Sequence, residues 1–288
     1  MLLYNSDIVF KHQIKLPKEQ KMKINTLFNV EGKVAIVTGG SRGIGEMIAA
    51  GFLANGAKVY ITARKEIELH TKAKELVEEF GGECISIASN LDSNEGIEAF
   101  VKEISDREDH VDFLINNAGA SWGEDFDTFP EMGWDKVMNL NVKSIFFMSQ
   151  KFKPLLTANN SAEDPSRIVN IGSIDGLNVP DVDTYSYSTS KAAVHQLTRH
   201  LAKRLVKDNI NVNAIAPGPF ESQMLGALVN HDYTEVAKSN PKGRVGSAED
   251  IAGLAIFLCS RASAYTIGET ITCDGGVGKL AGHGGQIA

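Results

Sequence analysis

From Lys33 onward the chain alternates short, β-rich apolar runs with longer segments whose apolar residues return at helical spacing. "KVAIVTGG" predicts a first strand that ends in glycines. Behind it Ile44, Met47, Ile48, Gly51 and Phe52 fall at i, i+3, i+4, i+7 and i+8, one face of a helix. "KVYITAR" predicts the second strand, and residues 67–80 the second helix. "ECISIAS" is a third strand, and Ser93 caps a helix that runs to about Ser105. "VDFLINNAG" is a fourth strand, followed by two helices, Glu131–Met138 and residues 142–156. "RIVNIGS" is a fifth strand, residues 187–207 a long helix and "INVNAIAPG" a sixth strand. Ser247 and Asp250 have capping-box spacing at the start of a helix ending near Cys259, and "ETITCDGG" is the last strand.

Such alternation implies right-handed crossovers and a parallel sheet covered on both faces. No linker or internal repeat divides the pattern. The expected fold is therefore α/β: a single doubly wound parallel sheet, the Rossmann fold, with helices on both faces. It spans residues 31–288 behind an N-terminal extension over 1–30. Sheets of this kind bind ligands beyond the carboxyl ends of their strands, so chemistry is expected in the turns that follow strands.

Composition narrows the classes. The 288 residues are 43% apolar, enough for one large domain with a well-buried core. The formal net charge of −7 argues against a nucleic-acid partner. No apolar run approaches the roughly 18 residues a membrane span needs. Cys84, Cys259 and Cys273 are scattered and form no CxxC pair, so neither disulfides nor a metal site is expected. They read as buried thiols of a reducing cytosol, and the expected location is cytoplasmic. The extension is lysine-rich without a long apolar core, unlike a secretory signal. It holds Asp7 and Glu19 but no arginine, unlike a mitochondrial presequence, and Met22 is a second candidate start.

The first strand ends in "TGGSRGIG", with Gly39, Gly43 and Gly45 spaced G-x-x-x-G-x-G. Glycines there let the backbone turn tightly and approach a pyrophosphate at a helix N-terminus. The same letters, Gly39-x-Ser41-x-Gly43, also match the nucleophile elbow of α/β-hydrolases. That rival would make Ser41 a nucleophile, but an elbow on the first strand has no upstream segment to supply an oxyanion loop. No histidine has an obvious triad context; His195 and His200 read as surface or packing residues of the long helix. At the end of the second strand, where NAD enzymes usually place an acid for the ribose diol, stands Arg64. With Arg42 in the glycine turn, two guanidinium groups suit a 2′-phosphate, so the expected cofactor is NADP(H).

"YSYSTSK" carries a further pattern. Tyr187 and Lys191 are four apart and share a helix face, whereas Tyr185 pairs with Thr189. An ammonium beside a phenol is expected to lower the tyrosine's pKa toward a range useful for acid–base work. Ser173 follows the fifth strand on the same sheet edge, where its hydroxyl can hold a substrate carbonyl.

On these motifs the chain resembles the short-chain dehydrogenase/reductases over about residues 32–276, with the rhamnolipid-type β-ketoacyl reductases most similar in "NNAGASWG" and "SKAAVHQLTRHLAK". The resemblance implies a cofactor turn of Gly39, Ser41, Arg42, Gly43, Ile44 and Gly45. It implies further cofactor contacts at Asn90, Leu91, Asn117, Ala118 and Gly119, with Tyr187 and Lys191 at the nicotinamide ribose. Pro217, Gly218, Phe220 and Ser222 would embrace the nicotinamide. Tyr187 would be the proton donor in reduction, Ser173 the carbonyl polariser, Lys191 the group that tunes the phenol, and Asn141 the holder of a water. Two departures stand out: Asn90 replaces the usual aspartate, and Ser222 the usual threonine.

The leading expectation is hydride transfer between NADP(H) and a small carbonyl or secondary alcohol, with 3-oxoacyl thioesters and keto sugars both open. A dinucleotide-binding regulator without turnover is the alternative of another class. Residues 220–244 are weakly patterned and read as a substrate lid. Trp122 and Phe126 line a pocket or pack their loop. Family members pair through the long helices after the fourth and fifth strands, which implies a homo-oligomer, a tetramer.

Overall fold

The computed structural model describes residues 24–280, so residues 1–23 of the extension lie outside the described residues. Strands form at β1 (Val34–Thr38), β2 (Lys58–Ala63), β3 (Cys84–Ala88), β4 (Phe113–Asn116), β5 (Ser166–Ile171), β6 (Ile210–Pro217) and β7 (Thr270–Cys273). All their pairings are parallel, in the order β3-β2-β1-β4-β5-β6-β7. The order reverses between β1 and β4, which opens a crevice beyond their carboxyl ends.

The core divides between the two faces of the sheet. Ala35 and Val37 of β1 point to one face and Val34 and Ile36 to the other, as strand alternation requires. The first face is covered by α1 (Gly43–Ala54), α2 (Glu66–Phe80) and α9 (Ala248–Cys259), through residues such as Phe52, Leu69 and Ile251. The second is covered by α3 (Asn94–Ser105), α5 (Ser144–Thr157) and α6 (Tyr185–Leu205), through Phe100, Phe152 and Leu201. The chain before β1 joins the first cluster through Val30, which is 1% exposed.

Two local features differ from the reading of the periodicity. The helices expected on either side of Asn141 are continuous: α4 (Glu131–Met138) passes through a π-turn at Asn139–Lys143 directly into α5. A π-turn inserts an extra residue and so alters which side chains face inward. And α6 begins at Tyr185, two residues earlier than expected. Within 220–244 lie two short helices, α7 (Gln223–Leu228) and α8 (Thr234–Ser239). The capping box at Ser247 and Asp250 is formed, as is the Ser93 cap of α3. α10 (Val277–Leu280) ends the described chain. Among the described residues no helix is long and apolar enough to cross a membrane.

Candidate active site

The turn from β1 to α1 has no room for side chains. Gly39 has φ +67°, and a Cβ there would lie 2.9 Å from Asn117 Nδ2 and 3.0 Å from Ala118 Cα. A Cβ on Gly45 would collide with the Gly39 carbonyl and with Asn117 Nδ2. Asn117, at the end of β4, holds the turn by donating from Nδ2 to the carbonyls of Thr38 (2.8 Å) and Gly39 (3.2 Å). The backbone amides of Asn117 and Ala118 both donate to Thr38 Oγ1 at 2.9 Å. Thr38 is 2% exposed and escaped the sequence reading; its place as the last residue of β1, facing the switch point, was the available signal. The N-terminus of α1 has no side-chain cap, so its first-turn amides are free to meet an anion. A glycine turn packed this closely on the end of β4, with uncapped amides at the start of α1, fits a pyrophosphate.

Strand register places the neighbouring turns alongside. Thr38 pairs with Thr62, so Arg64 emerges next to the glycine turn. Arg64 is exposed and has no hydrogen-bond or ion-pair partner among the described residues; Arg42 is exposed and gives one bond, to Gln223 of α7. No acid closes β2, so this edge fits an extra phosphate. Asn90 also faces solvent and its amide donates to Asp92. Leu91 and Phe220 differ in kind: both side chains are buried in the core, Phe220 against Gly246, so only their main chains are left to face the crevice. Pro217 ends β6, and Gly218 is packed so closely on Asp274 that a Cβ would come within 2.7 Å of it. Ser222 lies near Gly43, and its hydroxyl accepts from the Leu225 amide at 3.2 Å, capping α7. Ser41 sits in the turn with no histidine bonded to it among the described residues, so the hydrolase reading has no base.

The second group gathers on α6 and the end of β5. Ser173 is 7% exposed and Lys191 5%, and Lys191 Nζ donates to the Ile171 carbonyl at 2.8 Å. The same Nζ lies over the Tyr187 ring, 5.5 Å from its centroid. Gly119 completes the corner, since a Cβ there would stand 3.3 Å from Asn141 Oδ1 and 3.7 Å from Lys191 Nζ. The π-turn aims Asn141 inward, where it bonds Ala120 N (2.8 Å), Ala120 O (2.9 Å) and Ser190 Oγ (2.9 Å). Tyr185 instead gives its hydroxyl to Asp183 at 2.7 Å and packs edge-on between Phe126 and Phe129. Trp122 packs its loop, lying under Gly133 and the Lys136 ammonium, while Phe126 is 77% exposed at the rim.

The electrostatics depart from expectation in one respect. Burial pushes the Tyr187 phenol up to about 12, Ser173 opposes that shift by hydrogen bonding, and Asp175 adds to it. Burial drives Lys191 down to about 8, with Asp175 opposing. The lysine thus does not lower the phenol in the free protein, because its ammonium sits over the ring face and is bound to a carbonyl.

Fold and site together define a dinucleotide-dependent oxidoreductase that acts on CH–OH and C=O groups. The chain belongs to the short-chain dehydrogenase/reductase family, and residues 39–278 match the family described as enoyl-(acyl carrier protein) reductase. It is 45% identical over 251 residues to the rhamnolipids biosynthesis 3-oxoacyl-[acyl-carrier-protein] reductase of Pseudomonas aeruginosa, covering 86% of this chain and 97% of that one. It is 38% identical over 259 residues to the 2-dehydro-3-deoxy-D-gluconate 5-dehydrogenase of Escherichia coli, covering 88% and 98%. Among solved structures, the Pseudomonas aeruginosa RhlG/NADP active-site complex is similar, with a TM-score of 0.84, 44% identity and coverage of 88% and 99%.

Proposed function

We propose that the protein is an NADP(H)-dependent carbonyl reductase whose substrates are 3-oxoacyl thioesters or ketones of similar shape. The observation that carries the reading is the convergence of Ser173, Tyr187 and Lys191 at the sheet edge beside a glycine turn shaped for a pyrophosphate. When bound, NADPH supplies the hydride. The chain's own groups do the rest. Ser173 Oγ donates to the substrate carbonyl oxygen and holds it at the phenol. Tyr187 then gives its proton to that oxygen as negative charge develops on it. To stabilise the phenolate left behind, the Lys191 ammonium leaves the Ile171 carbonyl and moves to the phenol oxygen, and Asn141 fixes the corner between Gly119 and α6. Arg42 and Arg64 bind the 2′-phosphate, whose charge of about −1.5 to −2 near pH 7 favours guanidinium. Exposed Leu177 and Val179 behind Ser173, with Phe126 on the facing loop, support an apolar substrate.

The reading extends to assembly and location: a cytoplasmic homo-oligomer paired through α5, where Phe146 is 40% exposed, and α6, where Ala192 faces outward. The test is a spectrophotometric panel of 3-oxoacyl thioesters, keto sugars and simple ketones with NADPH and with NADH. Turnover of none, or a preference for NADH, would sink the proposal.

A further inference from the structure

Tyr187, Lys191 and His195 follow one another at spacing four along α6 and line one stripe of it. The first two belong to the reaction proposed above. His195 is 2% exposed, and neither Nδ1 nor Nε2 has a hydrogen-bond partner among the described residues. Unpaired buried nitrogens cost stability. An aliphatic side chain would avoid that cost but lacks the flat ring on which the Gly172 and Gly176 backbones rest, so apolar volume alone does not account for a histidine here.

The ring lies against the backbone of the turn that carries Ser173. A Cβ on Gly172 would collide with Nε2, and a Cβ on Gly176 would come within 2.9 Å of Cε1. These glycines flank residues 173–175, so the turn rests on the imidazole at both ends. From the other side, Ser173 Oγ accepts the Asp175 amide at 3.1 Å, and Lys191 Nζ holds the Ile171 carbonyl at 2.8 Å. At its Gly176 end the turn also meets the α6 backbone directly, a Cβ there coming within 2.5 Å of the Lys191 carbonyl carbon, so the ring is the spacer at the Gly172 end, next to Ser173. The charged groups that act on it are Lys191 and Arg199 on α6, and Asp175 on the turn acts on Lys191. Burial first, and Lys191 next, push its pKa down to about 4, so the ring is neutral near pH 7. The Gly176 main chain favours the charged form, but no hydrogen bond of normal geometry is made.

We propose that His195 is a positioning residue: its imidazole holds the Gly172 end of the 172–176 turn off α6 and so sets the Ser173 hydroxyl against the Tyr187 phenol. The inference rests on the roles given above to Ser173 and Tyr187.

The test is a double-mutant cycle with Ser173. His195→Ala, with His195→Leu beside it in case the smaller variant does not fold, is made in the parent and in Ser173→Ala. In the parent background kcat should fall ~10–100-fold, the scale of a misplaced reacting group, while the Kd for NADPH changes little. In the Ser173→Ala background the further fall should be no more than about twofold, because the positioned group is already gone. The loss of thermal stability should be the same in both backgrounds. Equal losses of kcat in the two backgrounds, or no loss in the parent, would overturn the inference. A crystal structure of the variant gives an arm independent of turnover. Ser173 displaced from Tyr187 supports the spacer role, and Ser173 left in place refutes it. A parent protein that reduces no ketone would refute the function proposed above, and the crystallographic outcome would still decide this one.

Discussion

The ammonium of Lys191 donates a hydrogen bond to the carbonyl of Ile171, 2.8 Å away. This bond ties the second turn of α6 to the end of β5, just ahead of Ser173. It also keeps the ammonium over the Tyr187 ring instead of at its oxygen. Proton donor and carbonyl holder are thus referred to one another through a single buried side chain.

Replacing Tyr187 with phenylalanine keeps the ring and removes the proton. Losing a positioned acid should lower kcat ~10²–10⁴-fold with NADPH binding nearly unchanged. Tyr185→Phe should cost far less, since that hydroxyl only reaches Asp183. Initial rates and a fluorescence titration of NADPH on both variants check this, and parent-like turnover in Tyr187→Phe would remove the tyrosine from the mechanism.

Gly45→Ala should destabilise, against the usual rule for helices. Alanine in place of helical glycine normally gains ~0.5–1 kcal/mol. At Gly45 the new Cβ meets the Gly39 carbonyl and Asn117, and overpacking of that kind costs ~1–3 kcal/mol. Gly253→Ala, on α9 with nothing within 4 Å of the added carbon, is the control and should stabilise. Denaturation midpoints decide the sign, and NADPH binding should fall in Gly45→Ala alone.

Arg64→Asp should weaken NADPH binding ~10–100-fold, the worth of a lost charge-assisted bond, and favour NADH. The motivation is an exposed guanidinium beside the glycine turn with no partner of its own among the described residues. Cofactor dissociation constants for both nucleotides measure it; an unchanged ratio would place the 2′-phosphate elsewhere.

Stability should fall between pH 6.5 and about 4 through His195. Its folded pKa lies near 4 against the ordinary histidine value of 6.5. The unfolded chain therefore binds a proton in that window and the folded protein does not. The cost is absent above the upper limit and complete below the lower one, where it reaches about 3 kcal/mol. Chemical denaturation at pH 7 and pH 5 should show a smaller loss in His195→Leu than in the parent. Equal losses would mean that the ring titrates normally.

Much of this was legible in the chain itself. Strand and helix periods, the glycines of the first turn and the spacing of Tyr187 to Lys191 are local properties. They depend on φ preferences and on which side chains share a face, and neighbours in sequence carry that information. The tertiary structure decided what depends on register between distant strands. Thr38 met Asn117 only because β1 and β4 lie side by side, and Lys191 reached Ile171 only because α6 crosses β5. The π-turn that turns Asn141 inward has no periodic signal, since one extra residue leaves no repeat to detect. The burial of Phe220 was likewise invisible, because it follows from Gly246 lying opposite. His195 read as an ordinary helix residue until the 172–176 turn lay on its ring. Contacts such as these join residues far apart in the chain, and only closing the sheet brings them together.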